Sequence, residues 1–278
     1  MTDAGGERDA KTSSTFRPRP PPSPTEKATL ERITAMGRLT DSLITFRTTR
    51  HRSFRFKPGQ FARLGVATES GGIVWRAYSM VSADYDEHLE FFSIVIPDGA
   101  FTTRLARLDV GDSIWVEKQA YGFLTVDRFA LDGDLWLLAS GTGVAPFLSI
   151  LRDPSIWERF DNIVLAYSVR QAQDLVYHEE IEALARDELF APHGSKLRFV
   201  PVVTREKAAG ALDRRLTDLC SDGALEAAVG VPFDAARSRV LICGNPQMLD
   251  DLREVLTRRG LKPDRSREPG NLAFENYW

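Results

Sequence analysis

The chain has 278 residues, of which 43% are hydrophobic and 27% charged, with two cysteines and a formal net charge of −3. This composition is typical of globular proteins of about two domains, and the net charge gives no overall attraction to nucleic acid. Two cysteines exclude an iron–sulfur cluster held by four cysteines of this chain, and no apolar run reaches the roughly 18 residues of a membrane-spanning helix. We therefore expect a cytoplasmic protein with no protein-built metal site, in which any redox chemistry requires an organic cofactor.

Residues 1–26 carry a Pro-rich cluster and few large apolar side chains. Such a segment cannot bury enough surface to offset its ordering entropy, so we predict a disordered tail. An organelle transit peptide is the alternative. The acidic residues Asp3, Glu7 and Asp9 argue against it, because transit peptides are poor in acids.

Residues 27–128 are predicted to form an antiparallel β-barrel. Short β-rich runs separated by turn motifs are typical of antiparallel barrels or sandwiches. The runs are Leu43–Thr48, Gln60–Val66, Ile73–Val81, His88–Ile96 and Ser113–Lys118, and a short helix is expected near Thr102–Arg107.

Residues 129–278 are predicted to form an α/β domain with a parallel sheet, because strands here alternate with amphipathic runs. The predicted strands are Leu135–Ala139, Asn162–Tyr167, Lys196–Val203 and Arg239–Ile242. Predicted helices begin at Pro146 and cover Glu179–Asp187, Asp213–Leu219 and Pro246–Arg259. The last helix has Asn245 as its N-cap and Gly260 as its stop.

A glycine-containing turn, Gly141 to Pro146, follows the first of these strands and leads into a helix. Backbone without side chains at Gly141 and Gly143 can approach a diphosphate, and the helix N-terminus favours negative charge. An ordinary strand–helix turn is the alternative. Because Pro146 stands where the third glycine of the common dinucleotide motif would be, this is not the usual NAD fingerprint.

Arginines follow the carboxyl ends of the next strands, where ligands of open α/β sheets bind. Arg170 comes after one strand, Thr204 and Arg205 after the next, and Arg215 near the start of the following helix. Asp161 precedes its strand and so lies at the wrong edge to bind a ribose. The arginines favour a nucleotide with a 2′-phosphate, NADPH rather than NADH.

The run Arg76-Ala77-Tyr78-Ser79 combines three side chains suited to a flavin nucleotide. An arginine can pair with a diphosphate, a tyrosine can pack on an aromatic ring, and a serine hydroxyl can bond a ring nitrogen. Because alternate side chains share a face of a strand, Arg76 and Tyr78 should point one way and Ser79 the other.

On these motifs the chain resembles the ferredoxin–NADP reductase superfamily over residues 27–278, and most closely its bacterial ferredoxin/flavodoxin–NADP reductases, in a branch whose chains end in Tyr-Trp. Further segments carry the resemblance: Gly99-Ala100-Phe101-Thr102-Thr103, Val203-Thr204-Arg205-Glu206, Cys243-Gly244-Asn245-Pro246-Gln247-Met248 and Glu275-Asn276-Tyr277-Trp278. The resemblance implies an FAD-binding barrel followed by an NADP-binding α/β domain.

The resemblance also implies which residues bind the cofactors. Those expected at FAD are Arg76, Ala77, Tyr78, Ser79, Ile94, Val95, Gly99, Ala100, Phe101, Thr102, Tyr277 and Trp278. Those expected at NADP are Gly141, Thr142, Gly143, Val144, Arg170, Thr204, Arg205, Arg215, Gly244 and Asn245. Tyr277 would cover the flavin and move aside for the nicotinamide, with Trp278 near the adenine; a frayed chain end is the alternative.

The implied reaction is hydride transfer between NADPH and FAD, and single-electron transfer between FAD and a ferredoxin or flavodoxin. Its catalytic positions would be Ser79, Cys243, Glu275 and Tyr277, although Cys243 could simply be a small buried residue. Two other functions stay open: the NADPH-dependent reductase component of an oxygenase system, and an electron-relay flavoprotein that binds a partner without NADPH turnover.

A basic segment, residues 46–57, contains Arg47, Arg50, Arg52, Arg55 and Lys57 and no acidic residue. It could dock an acidic ferredoxin or flavodoxin onto what we expect to be a monomer, with an attraction that weakens in salt. A solvated strand–turn face is the alternative.

Overall fold

The structure is a computed structural model, and it describes residues 27–129, 132–265 and 268–276. The tail predicted to be disordered, residues 1–26, lies outside these ranges. In the described parts of the chain, no helix is long and apolar enough to cross a membrane.

The first half of the described chain is a curled antiparallel sheet. Its elements are β1 (Ala28–Arg38), β2 (Leu43–Thr49), β3 (Phe61–Ala67), β4 (Ile73–Ser79), β5 (His88–Ile94), α1 (Thr102–Leu105) and β6 (Ser113–Glu117). The strand order is β4-β3-β6-β1-β2-β5. The two edges meet where Met80, directly after β4, forms an antiparallel bridge with Phe91 of β5. This bridge closes the sheet into the predicted barrel.

The turns of the barrel follow the chemistry of the sequence. Gly71, between β3 and β4, and Gly111, just before β6, take positive φ angles of 86° and 96°, a conformation that costs glycine little. Apolar side chains of the strands point inward and form one core, which includes Ile44, Leu64 and Phe91.

The sequence analysis assigned no strand to residues 28–38, where the structure has the 11-residue strand β1. The alternation of apolar and polar residues is interrupted there, because the pairing with β2 changes register between Ile33 and Ala35. Strands β4 and β5 also end two residues before the predicted ends.

The second half is a parallel sheet covered by helices. Its elements are β7 (Gly133–Ser140), α2 (Ala145–Leu151), α3 (Pro154–Arg159), β8 (Phe160–Val169), α4 (His178–Leu184), β9 (Leu197–Val203), α5 (Leu216–Ser221), α6 (Ala224–Val229), β10 (Ser238–Cys243), α7 (Pro246–Arg258) and β11 (Leu272–Glu275). The strand order is β11-β10-β7-β8-β9, and neighbouring strands are parallel. The chain winds outward from β7 on one side and then returns through β10 on the other, so the direction of winding reverses beside β7. Ligands of open α/β sheets bind at such a reversal, beyond the carboxyl ends of the strands.

Three short elements of this half are absent from the sequence analysis: α3, α6 and β11. Each spans six residues or fewer, too short for a periodic pattern to stand out.

The two halves share a hydrophobic core. Leu43, Val81 and Phe92 of the barrel belong to the same buried cluster as residues of β7, α2 and β8. Phe92 packs edge-on against Tyr177, with ring centroids 5.1 Å apart. The seam between the halves is therefore packed, which fixes the barrel against the parallel sheet. The predicted domain boundary after residue 128 stays a prediction.

Candidate functional site

The turn from β7 into α2 presents backbone to an open space. Residues Gly141–Val144 form one short 3-10 turn between the strand and the helix. Gly141 has a φ of 55°, and no atom lies within 4 Å of the position that its Cβ would occupy. Backbone N–H groups at the start of a helix favour anions, so this turn can receive a diphosphate.

The neighbouring turn after β10 packs directly against it. A Cβ on Gly143 would overlap the Cys243 carbonyl, and one on Gly244 would overlap Ser140. The backbone N–H of Asn245 donates to Ser140 Oγ at 2.9 Å. The two carboxyl-end turns thus form one surface, and it contains the Gly141, Gly143, Gly244 and Asn245 singled out from the sequence.

Three arginines gather at the same edge of the sheet. The N–H of Arg205 donates to the Arg170 carbonyl at 3.0 Å, which joins the ends of β8 and β9. Arg215 comes shortly after Leu212, which bridges to Val202 of β9. All three arginines are exposed, and none pairs with a carboxylate in the described ranges. Thr204, between them, donates its hydroxyl to the Val169 carbonyl at 3.1 Å.

Asp161 lies at the opposite edge, as its place in the sequence indicated. It is the second residue of β8, so the prediction that it precedes the strand was wrong, and it pairs with Arg237 at 2.6 Å. No acidic ribose ligand therefore comes from this position. The positive edge fits a nucleotide that carries an additional phosphate.

Strand β4, which carries Arg76 to Ser79, is an edge strand of the barrel. The Arg76 side chain is exposed, and its Nη1 donates to the neighbouring Trp75 carbonyl at 2.8 Å. Ser79 is only 5% exposed and lies opposite Phe61 of β3. Arg76 and Ser79 have different environments, one in solvent and one buried, while Ala77 between Arg76 and Tyr78 is half-buried. That Arg76 and Tyr78 share a face stays a prediction.

Tyr78 occupies an aromatic pocket in the barrel wall. Its ring packs against Phe101 at 5.2 Å between centroids and edge-on against Phe46 and Phe91. Its hydroxyl lies 2.9 Å from Ser93 Oγ. Burial raises the pKa of Tyr78 to about 12, so the phenol is neutral at physiological pH.

The loop after β5 is closed on itself. Thr102 Oγ1 accepts from the Ile96 N–H at 3.1 Å and lies 3.2 Å from the Ile96 carbonyl. Gly99 packs closely against this hydroxyl, because a Cβ at position 99 would lie 2.6 Å from Thr102 Oγ1. The candidate FAD residues of this loop are Ile94, Val95, Gly99, Ala100, Phe101 and Thr102. Phe101 is the buried member that joins the loop to Tyr78.

The barrel and the last strand meet at the predicted catalytic residues. Phe61, the partner of Ser79, is also paired with Tyr121. The next residue, Gly122, has a φ of 98°, and a Cβ there would lie 2.7 Å from Glu275 Oε1. Glu275 in turn is paired with Cys243 between β11 and β10. The structure therefore brings Ser79, Glu275 and Cys243 to one junction.

Phe61, Tyr121 and Gly122 were not singled out from the sequence. The rings of Phe61 and Tyr121 stack with centroids 5.8 Å apart, which supports the loop that reaches Glu275. The only feature of the sequence that could have indicated this contact is an aromatic residue followed by a glycine just after β6.

Two arginines of the basic segment already have partners within the fold. Arg47 pairs with Glu90 at 3.2 Å, and Arg50 donates to backbone carbonyls of two loops. Burial and the nearby Arg55 lower the pKa of Arg50. Arg52 and Arg55 are exposed and have no carboxylate partner in the described part of the chain.

A buried charge network at the seam was also missed. Arg152, after α2, donates to the Val81 carbonyl at 2.6 Å and lies 3.6 Å from Glu90 of the barrel. The same guanidinium pairs with Glu180 of α4. Burial disfavours this charge, and Glu180 and Glu90 more than offset that effect, so the pKa of Arg152 is raised.

The residues present fit both dinucleotides. The open backbone at Gly141 and the unpaired arginines suit NADP, and the exposed Arg76 beside the aromatic pocket of Tyr78 suits FAD. The positions predicted to cover the flavin, Tyr277 and Trp278, lie outside the described residues.

Comparisons with known proteins agree with this arrangement. Residues 28–120 match the oxidoreductase FAD-binding domain family, and residues 137–254 match the oxidoreductase NAD-binding domain family. The chain is 42% identical to ferredoxin–NADP reductase A of Sorangium cellulosum over 91% of this chain and 90% of that one. It is 40% identical to a ferredoxin–NADP reductase of Azotobacter vinelandii, over 88% of this chain and 96% of that one. A ferredoxin NADP+ reductase from Neisseria gonorrhoeae, solved with bound FAD and NADP, superposes with a TM-score of 0.85 at 38% identity, covering 91% of this chain and 100% of that one.

Proposed function

Because this chain belongs to the ferredoxin–NADP reductase family, we propose that it is an FAD-dependent enzyme that transfers a hydride between NADPH and FAD and single electrons between FAD and a ferredoxin or flavodoxin. The observation that carries the proposal is the junction at which Gly122 of the barrel meets Glu275 of the last strand. There the residues expected at the flavin and those expected at the nicotinamide lie side by side.

Each half of the molecule supplies binding groups for one nucleotide. The arginines at positions 170, 205 and 215 hold the 2′-phosphate, and the turn after β7 receives the diphosphate. Arg76 neutralises the FAD diphosphate, and Tyr78 packs beside the ring system. When bound, FAD supplies the redox chemistry, accepting a hydride and releasing electrons singly.

The groups at the junction orient the reactants and exclude water. Ser79 and Cys243 are buried, and Glu275 is half-buried between Gly122 and β10. Fixed polar groups in such a site hold the nicotinamide in a reactive position without a proton transfer of their own. We further propose that Tyr277 shields the reactive face until NADPH arrives.

Anaerobic reduction tests this function. The purified protein should be yellow, and NADPH should bleach it much faster than NADH does; purified ferredoxin and flavodoxin should then reoxidise it. A colourless protein that cannot be reconstituted with FAD would contradict the flavin assignment. Equal rates with the two nucleotides would contradict the assignment of the 2′-phosphate site.

We propose that the carrier docks on the basic segment mainly through Arg52 and Arg55, because Arg47 and Arg50 already have partners in the fold. Their charge accelerates encounter with an acidic protein, and salt weakens the effect. Reversing both charges should reduce the rate of carrier reduction at low salt and leave the rate with ferricyanide unchanged.

We also propose a monomeric protein of the cytoplasm. Most of the large exposed apolar side chains, such as Leu39, Val110 and Leu189, are well separated along the chain, and Cys220 and Cys243 are buried thiols. Light scattering and cell fractionation test the two statements.

A further inference from the structure

One large apolar side chain beside the candidate site is exposed to solvent. Phe123 is 82% exposed, more than Val110 at 62% or Tyr85 at 59%. It lies in the loop that follows β6, directly after Gly122. An exposed phenyl ring contributes little to the stability of the fold, and this one is accessible to a partner beside the junction.

The backbone under this ring is held from both sides. Gln60 Nε2 donates to the Gly122 carbonyl at 3.2 Å, and Arg128 Nη1 donates to the Phe123 carbonyl at 2.6 Å. The next residue, Leu124, is 1% exposed. The backbone that carries Phe123 is therefore already ordered. A partner that covers the ring loses little binding free energy to ordering of this loop.

The charged side chains next to the loop form ion pairs, Asp127 with Lys57 and Asp264 with Arg128. The basic segment continues from Lys57 with its two exposed arginines, which have no carboxylate partner in the described ranges. An apolar centre with a charged rim is the arrangement of a protein interface, and this rim suits an acidic partner.

The ring is also next to the redox junction. Gly122, its neighbour in sequence, is the residue that contacts Glu275. A protein seated on Phe123 would bring its own redox centre close to the groups around the flavin.

From these observations we propose that Phe123 is the apolar anchor of the docking surface for the acidic one-electron carrier. This inference rests on the proposed function and adds to it: the arginines attract the carrier, and Phe123 retains it. Central aromatic residues often carry most of the binding energy of an interface, whereas rim charges mainly change the association rate.

The test compares Phe123→Ala with the wild type as holoenzyme. Binding of purified flavodoxin and ferredoxin is measured by calorimetry, and reduction of each carrier and of ferricyanide by NADPH is measured by steady-state kinetics. We expect Phe123→Ala to weaken carrier binding and raise the carrier KM by about 10- to 30-fold. The ferricyanide rate and the melting temperature should stay at wild-type values.

Matched variants make the result specific. Val110→Ala removes another exposed apolar side chain and should change nothing, while Phe123→Leu should recover part of the affinity. The variant Arg52→Glu with Arg55→Glu should flatten the salt dependence of carrier reduction, which Phe123→Ala should leave intact.

Three outcomes would overturn the proposal. One is carrier kinetics for Phe123→Ala that equal those of the wild type. Another is a concentration-dependent dimer in light scattering that Phe123→Ala abolishes, since the ring would then serve a second copy of this chain. A wild type that NADPH reduces but that reduces neither carrier would refute the docking surface, whereas a wild type that NADPH does not reduce would refute the proposed function itself.

Discussion

At the scale of single residues, the arginines fall into two groups. Some pair with carboxylates of the fold, and others have no carboxylate partner in the described residues. Arg152 and Arg259 are partly buried and each contacts at least one carboxylate. Arg170, Arg205 and Arg215 share an edge of the sheet without any such partner in the described residues. Like charges held near one another cost electrostatic energy, so an anion that binds among them recovers that energy.

Replacing Arg170 and Arg205 together by alanine should therefore raise the KM for NADPH by on the order of 10- to 100-fold and leave that for NADH nearly unchanged. Steady-state kinetics with both nucleotides and ferricyanide measure this. Arg198→Ala, an exposed arginine at the other end of β9, is the matched control. A parallel loss with both nucleotides would mean that the phosphate site is misplaced.

Tyr78 gives the protein a dependence on alkaline pH. Its folded-state pKa is raised to about 12, whereas an unfolded tyrosine titrates near 10, so the neutral phenol stabilises the fold fully below pH ~10 and progressively less as pH rises toward 12. Between pH ~8 and ~11 this amounts to about 1.4 kcal/mol of unfolding free energy. Burial also raises the pKa of Tyr167 and of Tyr177, so urea denaturation of the wild type should show a larger total decline. Tyr78→Phe should decline less than the wild type by about 1.4 kcal/mol over this pH range. Tyr85→Phe, which removes an exposed phenol, should retain most of the wild-type decline.

At the scale of elements, the starts of α2 and α7 together form the surface proposed to bind the nucleotide. Helix α7 begins at a strong N-cap, in which Asn245 Oδ1 accepts from the Gln247 N–H at 2.9 Å and from the Met248 N–H at 3.3 Å. The same Asn245 binds back to Ser140 at the end of β7. One residue thus caps a helix and fixes the turn that faces the nucleotide.

Asn245→Ala should lower the unfolding free energy by about 1 kcal/mol, because two helix N–H groups lose their acceptor. Asn245→Asp keeps the cap, so urea denaturation should find it near wild-type stability. Its negative charge should nevertheless weaken NADPH binding in fluorescence titrations. If Asn245→Asp bound NADPH as tightly as the wild type, Asn245 would not be near the phosphates.

The elements also show what the sequence could and could not predict. Four of the five parallel strands and α7 were predicted because apolar runs, Asn245 and Gly260 mark them locally, whereas the four-residue β11 was missed. Strand β1 was missed because a bulge interrupts its alternation. The meeting of Gly122 with Glu275 joins segments more than 150 positions apart, and no local pattern encodes such a contact.

At the scale of the whole molecule, the seam determines how the two nucleotide sites face each other. Alongside the shared core, polar contacts cross it: Ser149 donates to the Ser82 carbonyl at 2.8 Å, and the Tyr177 hydroxyl donates to Thr45 at 3.3 Å. Arg152 connects both halves through Glu90 and Glu180. Domains held by such contacts should move little relative to each other.

Arg152→Ala should lower the unfolding free energy by about 3 kcal/mol, because Glu90, which is 5% exposed, loses a cationic partner and the Val81 carbonyl loses a donor. Glu180→Gln should cost much less, since Glu180 is more exposed. Urea denaturation of the holoenzyme measures both. If the seam couples the halves, the wild type should unfold in one transition, whereas in Arg152→Ala the barrel and the parallel-sheet half should unfold in two separate transitions.

The position of β11 has a consequence for the synthesis of the protein on the ribosome. Strands β1 to β6 are continuous in sequence, so the barrel can fold while the rest of the chain is still being made. Glu275, by contrast, reaches Gly122 only after nearly all of the described chain has been translated. A nascent chain can therefore acquire a folded barrel long before its redox junction exists.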